Sequence, residues 1–116
     1  MGQPLIHFEI MGPDGEQLQK FYGEVFGWRV HVHGPEMGFY GLVDPDTSGI
    51  GGGVGRDMHG TARVSIFMQV PDLQATLDQV VARGGKVAMP PTDIPGGPSI
   101  AMFIDPAGNV NGVVKG

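Results

Sequence analysis

The stretch DGEQLQKFYGEVFGW, residues 14–28, has the spacing of an amphipathic helix. Its apolar residues recur at intervals of three and four and form one stripe, made of Leu18, Phe21, Tyr22, Val25 and Phe26. Asp14, with Gln17 three residues later, is typical of a helix start, and Gly27 is typical of a helix end. The stretch therefore predicts a helix from Asp14 to about Phe26.

A second helix is predicted from Asp72 to about Arg83, with Asp72 as its N-cap and Gly84-Gly85 at its end. Each predicted helix follows a predicted strand and precedes three short ones. The strands before the helices are residues 5–11 and 63–70, and those after them are 28–33, 38–43, 50–54, 86–89, 99–104 and 109–114. The order strand, helix, three strands is therefore given twice.

The two halves also align with one another residue by residue. The matched pairs keep a common order: Asp14 with Asp72, Val25 with Val80, and Asp44-Pro45 with Asp105-Pro106. That order favours a duplicated βαβββ module over chance. The predicted fold class is α+β, in a single domain over 1–116, with module one at about 4–56 and module two at about 62–115. The modules are expected to form a pair of half-barrels whose concave faces enclose a pocket.

Composition excludes several classes of partner. The 116 residues include 41% hydrophobic and 16% charged residues, with a formal net charge of -5 and no basic run. Nucleic acid is therefore not an expected partner, because phosphate binding needs clustered Lys or Arg. No apolar run reaches the length of a membrane span, so no membrane partner is expected. The chain has no Cys and no signal-peptide pattern at residues 1–10, which favours a cytoplasmic location.

The stretch LIHFEIM, residues 5–11, alternates apolar with other residues over most of its length. The alternation places His7 and Glu9 on one face of a strand, and Ile6, Phe8 and Ile10 on the other. The pair could be half of a metal site, two polar residues lining a pocket, or a solvated face.

Three motifs resemble the vicinal oxygen chelate superfamily, which includes glyoxalase, extradiol dioxygenases, fosfomycin-resistance enzymes and the bleomycin-resistance binding protein. They are HFEI at 7–10, FY and FGW at 21–22 and 26–28, and FIDPAGN at 103–109. The resemblance implies a glyoxalase-like fold, a small organic ligand and pairing as a homodimer. It also implies metal ligands on the first and last strand of each module, and His7 occupies the first-strand position.

The repeat gives the other three ligand positions, and none of them holds a good ligand. They fall on Ser65, Gly51 and Gly112, whereas a catalytic metal usually has about three protein donors. The sequence therefore predicts a small-molecule binding protein, of the bleomycin-resistance type, without a metal cofactor. The alternative is a metal-dependent lyase or dioxygenase with a displaced site at His7 and Glu9, joined by His31 or His33.

The residues predicted to line the ligand pocket are His7, Glu9, Trp28, Tyr40 and Ser65. No nucleophile arrangement is present, so no catalytic residue is assigned and enzymatic activity stays open. A third possibility, a pure interaction module, requires a pocket filled by side chains. The Pro- and Gly-rich residues 89–98 are interpreted as a lid or a stiff connector, and His59 as a solvated linker residue.

Overall fold

The computed structural model describes residues 2–116, over which it contains eight strands and three α-helices. In chain order they are β1 (Leu5–Gly12), α1 (Gly15–Phe26), β2 (Val30–Val32), β3 (Gly41–Val43), α2 (Pro45–Ser48), β4 (Gly52–Arg56), β5 (Arg63–Val70), α3 (Leu73–Ala82), β6 (Lys86–Asp93), β7 (Ser99–Ile104) and β8 (Val110–Lys115). A 3₁₀ turn at Pro35–Met37 precedes β3. None of the helices in this described part has the length and apolar character needed to cross a membrane.

The two modules have the same strand order. In module one the strands pair in the order β2-β3-β4-β1, with β4 parallel to β1. In module two the order is β5-β8-β7-β6, with β8 parallel to β5. In both modules, the first strand pairs with the last. The other strand pairs, β2 with β3, β3 with β4, β6 with β7 and β7 with β8, are antiparallel. The predicted α+β fold of two βαβββ modules is confirmed.

The chain divides into two compact units close to the predicted modules. One unit comprises residues 7–64, and the other comprises residues 2–6 with 65–116. The linker at 57–62 thus belongs to the first unit, and the start of β1 belongs to the second. Residues 2–6 join the second unit through backbone pairing, since the amide of Gln69 donates to the carbonyl of Pro4 at 2.8 Å.

Both long helices begin and end where the sequence predicts. The Asp14 carboxylate accepts a hydrogen bond from the Gln17 amide at 3.1 Å, and the chain leaves α1 at Gly27 with φ of 70°. Asp72 caps α3 in the same way, by accepting from the Ala75 amide at 3.0 Å. These side chains satisfy amide groups that the helix itself leaves without partners.

Module two has a compact apolar core under α3. Its buried members are Val70, Leu73, Leu77, Ala101 and Val113. Leu77 is 1% exposed, and truncation of such a residue to Ala typically costs about 2–5 kcal/mol of stability. The stability of this module therefore depends on the buried leucines of α3, Leu73 and Leu77.

Module one packs its helix differently from the predicted stripe. Phe21, Val25 and Phe26 are each more than half exposed, whereas Gln19 is buried. The Gln19 amide nitrogen donates to the carbonyl of Val54 at 2.8 Å, on the neighbouring strand. A polar side chain therefore fixes α1 against β4, because it supplies hydrogen bonds that the buried carbonyls need.

The aromatic end of the stripe forms a cluster with Trp28. The Tyr22 ring stacks on Trp28 with a centroid separation of 5.4 Å, and Phe26 lies 5.9 Å from the same indole. Phe8, from the core face of β1, lies 5.3 Å from Trp28. Such aromatic pairs add about 0.5–1.5 kcal/mol each beyond their buried area.

Two local predictions are wrong, and one short helix was not predicted. Strand β6 runs on through Pro90-Pro91 to Asp93, so the interpretation of residues 89–98 as only a lid or connector fails for their first half. Proline is tolerated there because β6 is an outer strand of its module, with a register shift between Met89 and Thr92. Residues 38–40 are not part of a strand, and α2 was not expected, although Pro45 after the Asp44 cap is a typical helix start.

The close approach of β1 and β4 explains one glycine of the triplet at 51–53. A Cβ on Gly52 would overlap the ring of Phe8, whereas a Cβ on Gly51 would meet only Pro45 carbons, the nearest at 3.8 Å. The two neighbouring glycines therefore differ in how much space each has.

We expect Gly52→Ala to lower the free energy of unfolding by about 1–3 kcal/mol, because the added methyl displaces the Phe8 ring. Gly51→Ala is the matched control and should change stability by less than about 0.5 kcal/mol. Urea denaturation of both variants measures the difference. Equal stabilities would show that Phe8 does not pack on Gly52.

Candidate functional site

His7 and Glu9 lie on one face of the module-one sheet. The neighbouring strand, β4, has only glycines on that face. The register pairs Glu9 with Gly53 across β1 and β4, and Gly53 with Leu42 across β4 and β3. Because side chains alternate along a strand, Gly51, Gly53 and Gly55 all lie on this face. Strand β4 therefore forms the floor of a shallow trough.

Tyr40 crosses that trough. A Cβ on Gly53 would overlap the ring and hydroxyl of Tyr40, so only glycine leaves room for this side chain. The hydroxyl donates to Oε2 of Glu9 at 2.8 Å and lies 3.0 Å from Nε2 of His7. One hydroxyl thus bridges the two polar residues of β1.

The backbone before Tyr40 has an unusual conformation. Phe39 has a φ of 56°, in the left-handed region that a bulky residue rarely adopts. Its amide donates to the carbonyl of Gly34 at 3.2 Å, and its carbonyl accepts from the Gln19 side chain at 3.0 Å. The carbonyl of Tyr40 accepts from the His33 amide at 2.9 Å. These bonds hold the left-handed residue and so direct Tyr40 over the trough.

Glu9 also contacts Arg63, which in turn contacts Asp57. Nη2 of Arg63 lies 2.8 Å from Oε1 of Glu9 in an ion pair, and its Nε donates to Oδ1 of Asp57 at 2.9 Å. The three charged side chains are largely buried, with exposures of 13% for Glu9, 22% for Arg63 and 7% for Asp57. We refer to Asp57, Arg63, Glu9, Tyr40 and His7 as the Asp57–His7 chain.

Asp57 is fixed by the loop that follows β4. Its second carboxylate oxygen, Oδ2, accepts from the amides of His59 at 3.0 Å and Thr61 at 3.1 Å. Its own amide donates to the carbonyl of Gly12 at 2.9 Å. The Asp57 end of the Asp57–His7 chain is therefore anchored to the backbone. This anchor restricts the conformations of the Arg63 side chain, which bonds to Asp57.

Burial shifts the pKa values of Tyr40 and His7 in the Asp57–His7 chain. Desolvation raises the pKa of Tyr40 far above its usual value, and the charge and hydrogen bond of Glu9 raise it further, against the opposing charge of Arg63. Desolvation also lowers the pKa of His7, although the Glu9 charge opposes this. At neutral pH the phenol keeps its proton and the imidazole is neutral.

A cavity of about 360 Å³ lies beside His7 on the same module. It is lined by His7, His31, Leu42, Val43, Asp44, Pro45, Gly51 and Gly52. Asp44 at its rim is paired with Arg29 at 2.6 Å. The cavity thus has a glycine floor, apolar walls and imidazoles at its edge, which suits an organic molecule.

A larger cavity, of about 530 Å³, lies beside α3 in module two. Its two carboxylates have structural duties: Asp72 caps α3, and Asp105 accepts from the amides of Ala107 and Asn109. The smaller cavity is the candidate site because it adjoins the Asp57–His7 chain.

The residues at the predicted metal-ligand positions make other contacts in the structure. Ser65 is 1% exposed and donates to the carbonyl of Val110 at 2.6 Å, and a side chain at Gly112 would overlap the Phe67 ring. Nε2 of His7 faces the Tyr40 hydroxyl. Within residues 2–116 no group of three His, Cys, Asp or Glu side chains is placed to hold a metal ion.

The structure brings together three of the five predicted pocket residues, His7, Glu9 and Tyr40. Trp28 packs on Phe8, which points away from the strand face of His7, and Ser65 is buried in the module-two pairing. His59 is exposed, as its predicted solvated role requires. His33 and His31, the two histidines proposed for a displaced metal site, are also exposed, and His31 borders the cavity.

Sequence reasoning missed Arg63 and Asp57. Arg63 lies two residues before Ser65 and therefore shares its strand parity, which was the available signal. Asp57 was hidden in a Gly-rich connector, where an aspartate normally indicates only a turn.

The fold is that of a glyoxalase-like protein. The chain resembles the structure of methylmalonyl-CoA epimerase from Streptomyces coelicolor in complex with 2-nitronate-propionyl-CoA, with a TM-score of 0.67 over 97% of this chain and 94% of that one. The sequence identity is 17%, so this likeness concerns the fold.

The chain belongs to the Glyoxalase/Bleomycin resistance protein/Dioxygenase superfamily, whose family model matches residues 5–113. It is 30% identical to lactoylglutathione lyase of Haemophilus influenzae over 116 residues, covering 90% of this chain and 86% of that protein. It is 29% identical to the anthracycline biosynthesis protein DnrV of Streptomyces peucetius, over 87% of this chain. The match spans only 42% of the length of DnrV. The predicted superfamily is confirmed.

The pKa of Asp57 gives a prediction about acid stability. Burial alone would raise this pKa, but the hydrogen bonds from Thr61, Arg63 and His59 outweigh burial and lower it. A lowered pKa means that Asp57 contributes stability above the unfolded-state value of about 3.9, and that this contribution is lost as pH falls through the folded-state pKa.

We therefore expect Asp57→Asn to be less stable than wild type by about 1–3 kcal/mol at neutral pH. The gap should shrink as the pH falls below about 4. Urea denaturation across the acid range measures it, with Asp78→Asn on the exposed side of α3 as the control. A gap that stays constant at all pH values would contradict the role given to Asp57.

Proposed function

We propose that this protein binds a small organic molecule on the module-one face, without a metal ion at the superfamily's usual position. The observation that carries the proposal is the Tyr40 hydroxyl, which lies between His7 and Glu9 and hydrogen-bonds both. Both His7, at the position that the resemblance gives to a metal ligand, and Glu9 are here hydrogen-bonded by a phenol. The adjoining cavity remains open to a ligand, which argues against a pure interaction module with a filled pocket.

The shape of the cavity favours a flat ligand. Gly51 forms its floor without a side chain, and Leu42 and Pro45 supply apolar surface at its sides. A planar ring system can approach such a floor closely and bury one of its faces against it. The likeness to an anthracycline biosynthesis protein supports a polycyclic aromatic ligand, although the match spans under half of that relative.

A second candidate function is a metal-dependent lyase. The identity of 30% to a lactoylglutathione lyase over most of both chains favours it. This function would need a displaced metal site that includes His7 and Glu9, and turnover that stops in His7→Ala. Pairing as a homodimer and a cytoplasmic location stay predictions from the sequence.

The glycine floor gives a direct test of ligand binding. Calorimetric titration of the protein with an anthracycline should show one site in module one, and Gly51→Leu should weaken binding at least about tenfold, or 1.4 kcal/mol. The physical reason is that leucine fills the floor, while its Cβ meets only Pro45 carbons at 3.8–3.9 Å. Thermal melts of the free proteins check that the variant is folded.

The matched control is Ile50→Val, at the exposed residue next to the floor, which should leave binding unchanged. Saturating ligand should also raise the melting temperature of wild type, since a ligand at 100 times its Kd adds about 2.7 kcal/mol of stability. Binding that is equal in wild type and Gly51→Leu would place the ligand elsewhere and overturn the assignment.

A further inference from the structure

We propose that the Asp57–His7 chain holds His7 in a single tautomer, with the hydrogen on Nε2, and that Arg63 is the positioning residue that sets it. The inference deepens the proposed function and rests on it for the use that the imidazole serves. Along the Asp57–His7 chain, the residue before each hydrogen bond decides which partner donates the hydrogen.

The first step is the charge on Glu9. Its carboxylate faces the Arg63 guanidinium at 2.8 Å, and a second carboxylate, Asp57, holds that guanidinium at 2.9 Å from the other side. Arginine presents several N–H donors in a fixed fork and stays protonated. Glu9 opposite this cation is a carboxylate, and a carboxylate can only accept hydrogen bonds.

The second step is the single hydroxyl hydrogen of Tyr40. It is directed to Oε2 of Glu9 at 2.8 Å. The phenol keeps this hydrogen because desolvation and the neighbouring Glu9 charge raise the pKa of Tyr40. With its one hydrogen used, the Tyr40 oxygen has only lone pairs left for other partners.

The third step fixes the imidazole. Nε2 of His7 lies 3.0 Å from the Tyr40 oxygen, within hydrogen-bonding distance. Two acceptors cannot form a hydrogen bond, so Nε2 donates. A neutral imidazole has one N–H, and its other nitrogen, Nδ1, is then an acceptor.

The consequence is a polarity for the binding site. His7 lines the cavity, and a ligand group that meets Nδ1 has to donate a hydrogen bond. A phenolic or enolic hydroxyl does so, whereas a carboxylate or a ketone does not. A ligand that reaches Nδ1 of His7 is therefore expected to bind more tightly with a hydroxyl group than as its methyl ether.

Nuclear magnetic resonance of the ligand-free protein reads the tautomer directly. Protein labelled with ¹⁵N at histidine is measured above the ordinary imidazole pKa of about 6.5, where the nitrogen that bears hydrogen resonates far upfield of the one that bears a lone pair. His7 is assigned by the loss of its signals in His7→Asn. The expected result is an upfield Nε2 and a downfield Nδ1.

Two variants test the direction of control. Tyr40→Phe keeps the ring over Gly53 and removes only the hydroxyl, and Arg63→Gln removes the cation next to Glu9. In both we expect the single-tautomer pattern of His7 to be lost, with the two nitrogen shifts moving toward each other. Arg56→Gln, at an exposed arginine of β4, is the matched control and should retain the wild-type pattern.

An Nδ1–H pattern in wild type would overturn the proposal, and so would an unchanged His7 pattern in Tyr40→Phe or Arg63→Gln. The backbone amide spectrum of each variant confirms that it is folded. Because no ligand is present, a failure of ligand binding would overturn the proposed function and leave the tautomer result standing. Binding of a hydroxyanthraquinone at least about tenfold tighter than its methyl ether, with the preference lost in Tyr40→Phe, is the matching result with ligand.

Discussion

The hydrogen bonds of the Tyr40 hydroxyl determine how the module-one face is organised. Glu9 is a largely buried carboxylate and His7 a partly buried imidazole, and polar groups in such places are costly to leave unsatisfied. The hydroxyl serves both, at 2.8 Å and 3.0 Å. A hydrogen bond to a charged group contributes about 1.5–3 kcal/mol, so the arrangement stabilises the fold and also defines the polarity of the site.

Several other residues position the Tyr40 side chain over Gly53. Gly53 leaves the space that the ring fills, and the left-handed Phe39 turns the chain toward it. Gln19, on α1, holds the Phe39 carbonyl while also bonding to β4. A helix residue, a strand glycine and a strained loop residue thus act on the same phenol. This coupling explains why a polar residue is buried on α1 in place of the apolar stripe.

The sequence predicts the fold well because its signals are local and repeated. The caps at Asp14 and Asp72 and the repeated order of strands are visible without any tertiary contact, and the duplication constrains the topology. The site is less predictable. Strand parity places His7 and Glu9 on one face, but the approach of Tyr40 depends on a cross-strand register and on a positive φ, which no local pattern announces. Arg63 and Asp57 join only because the linker folds back onto module one.

The superfamily shows how one fold can carry several kinds of site. Here two of the usual ligand positions are glycines, and the Phe67 ring occupies the space beside one of them, Gly112. The third is a buried serine that bonds to backbone. In module two, Gly112 and Ser65 are part of the packing between strands. In module one, His7 is part of the Asp57–His7 chain. A cavity lies beside His7 on the module-one face, and the proposed function places the ligand there.

The Tyr40 phenol hydrogen-bonds both His7 and Glu9, and the proposed function requires that it does so in place of a metal ion. Calorimetric titration of the metal-stripped protein with Zn²⁺, Ni²⁺ and Mn²⁺ tests it most directly. The account predicts no stoichiometric site with a Kd below about 10 μM, or about 7 kcal/mol of binding free energy. Binding of one ion per chain that disappears in His7→Ala would contradict it.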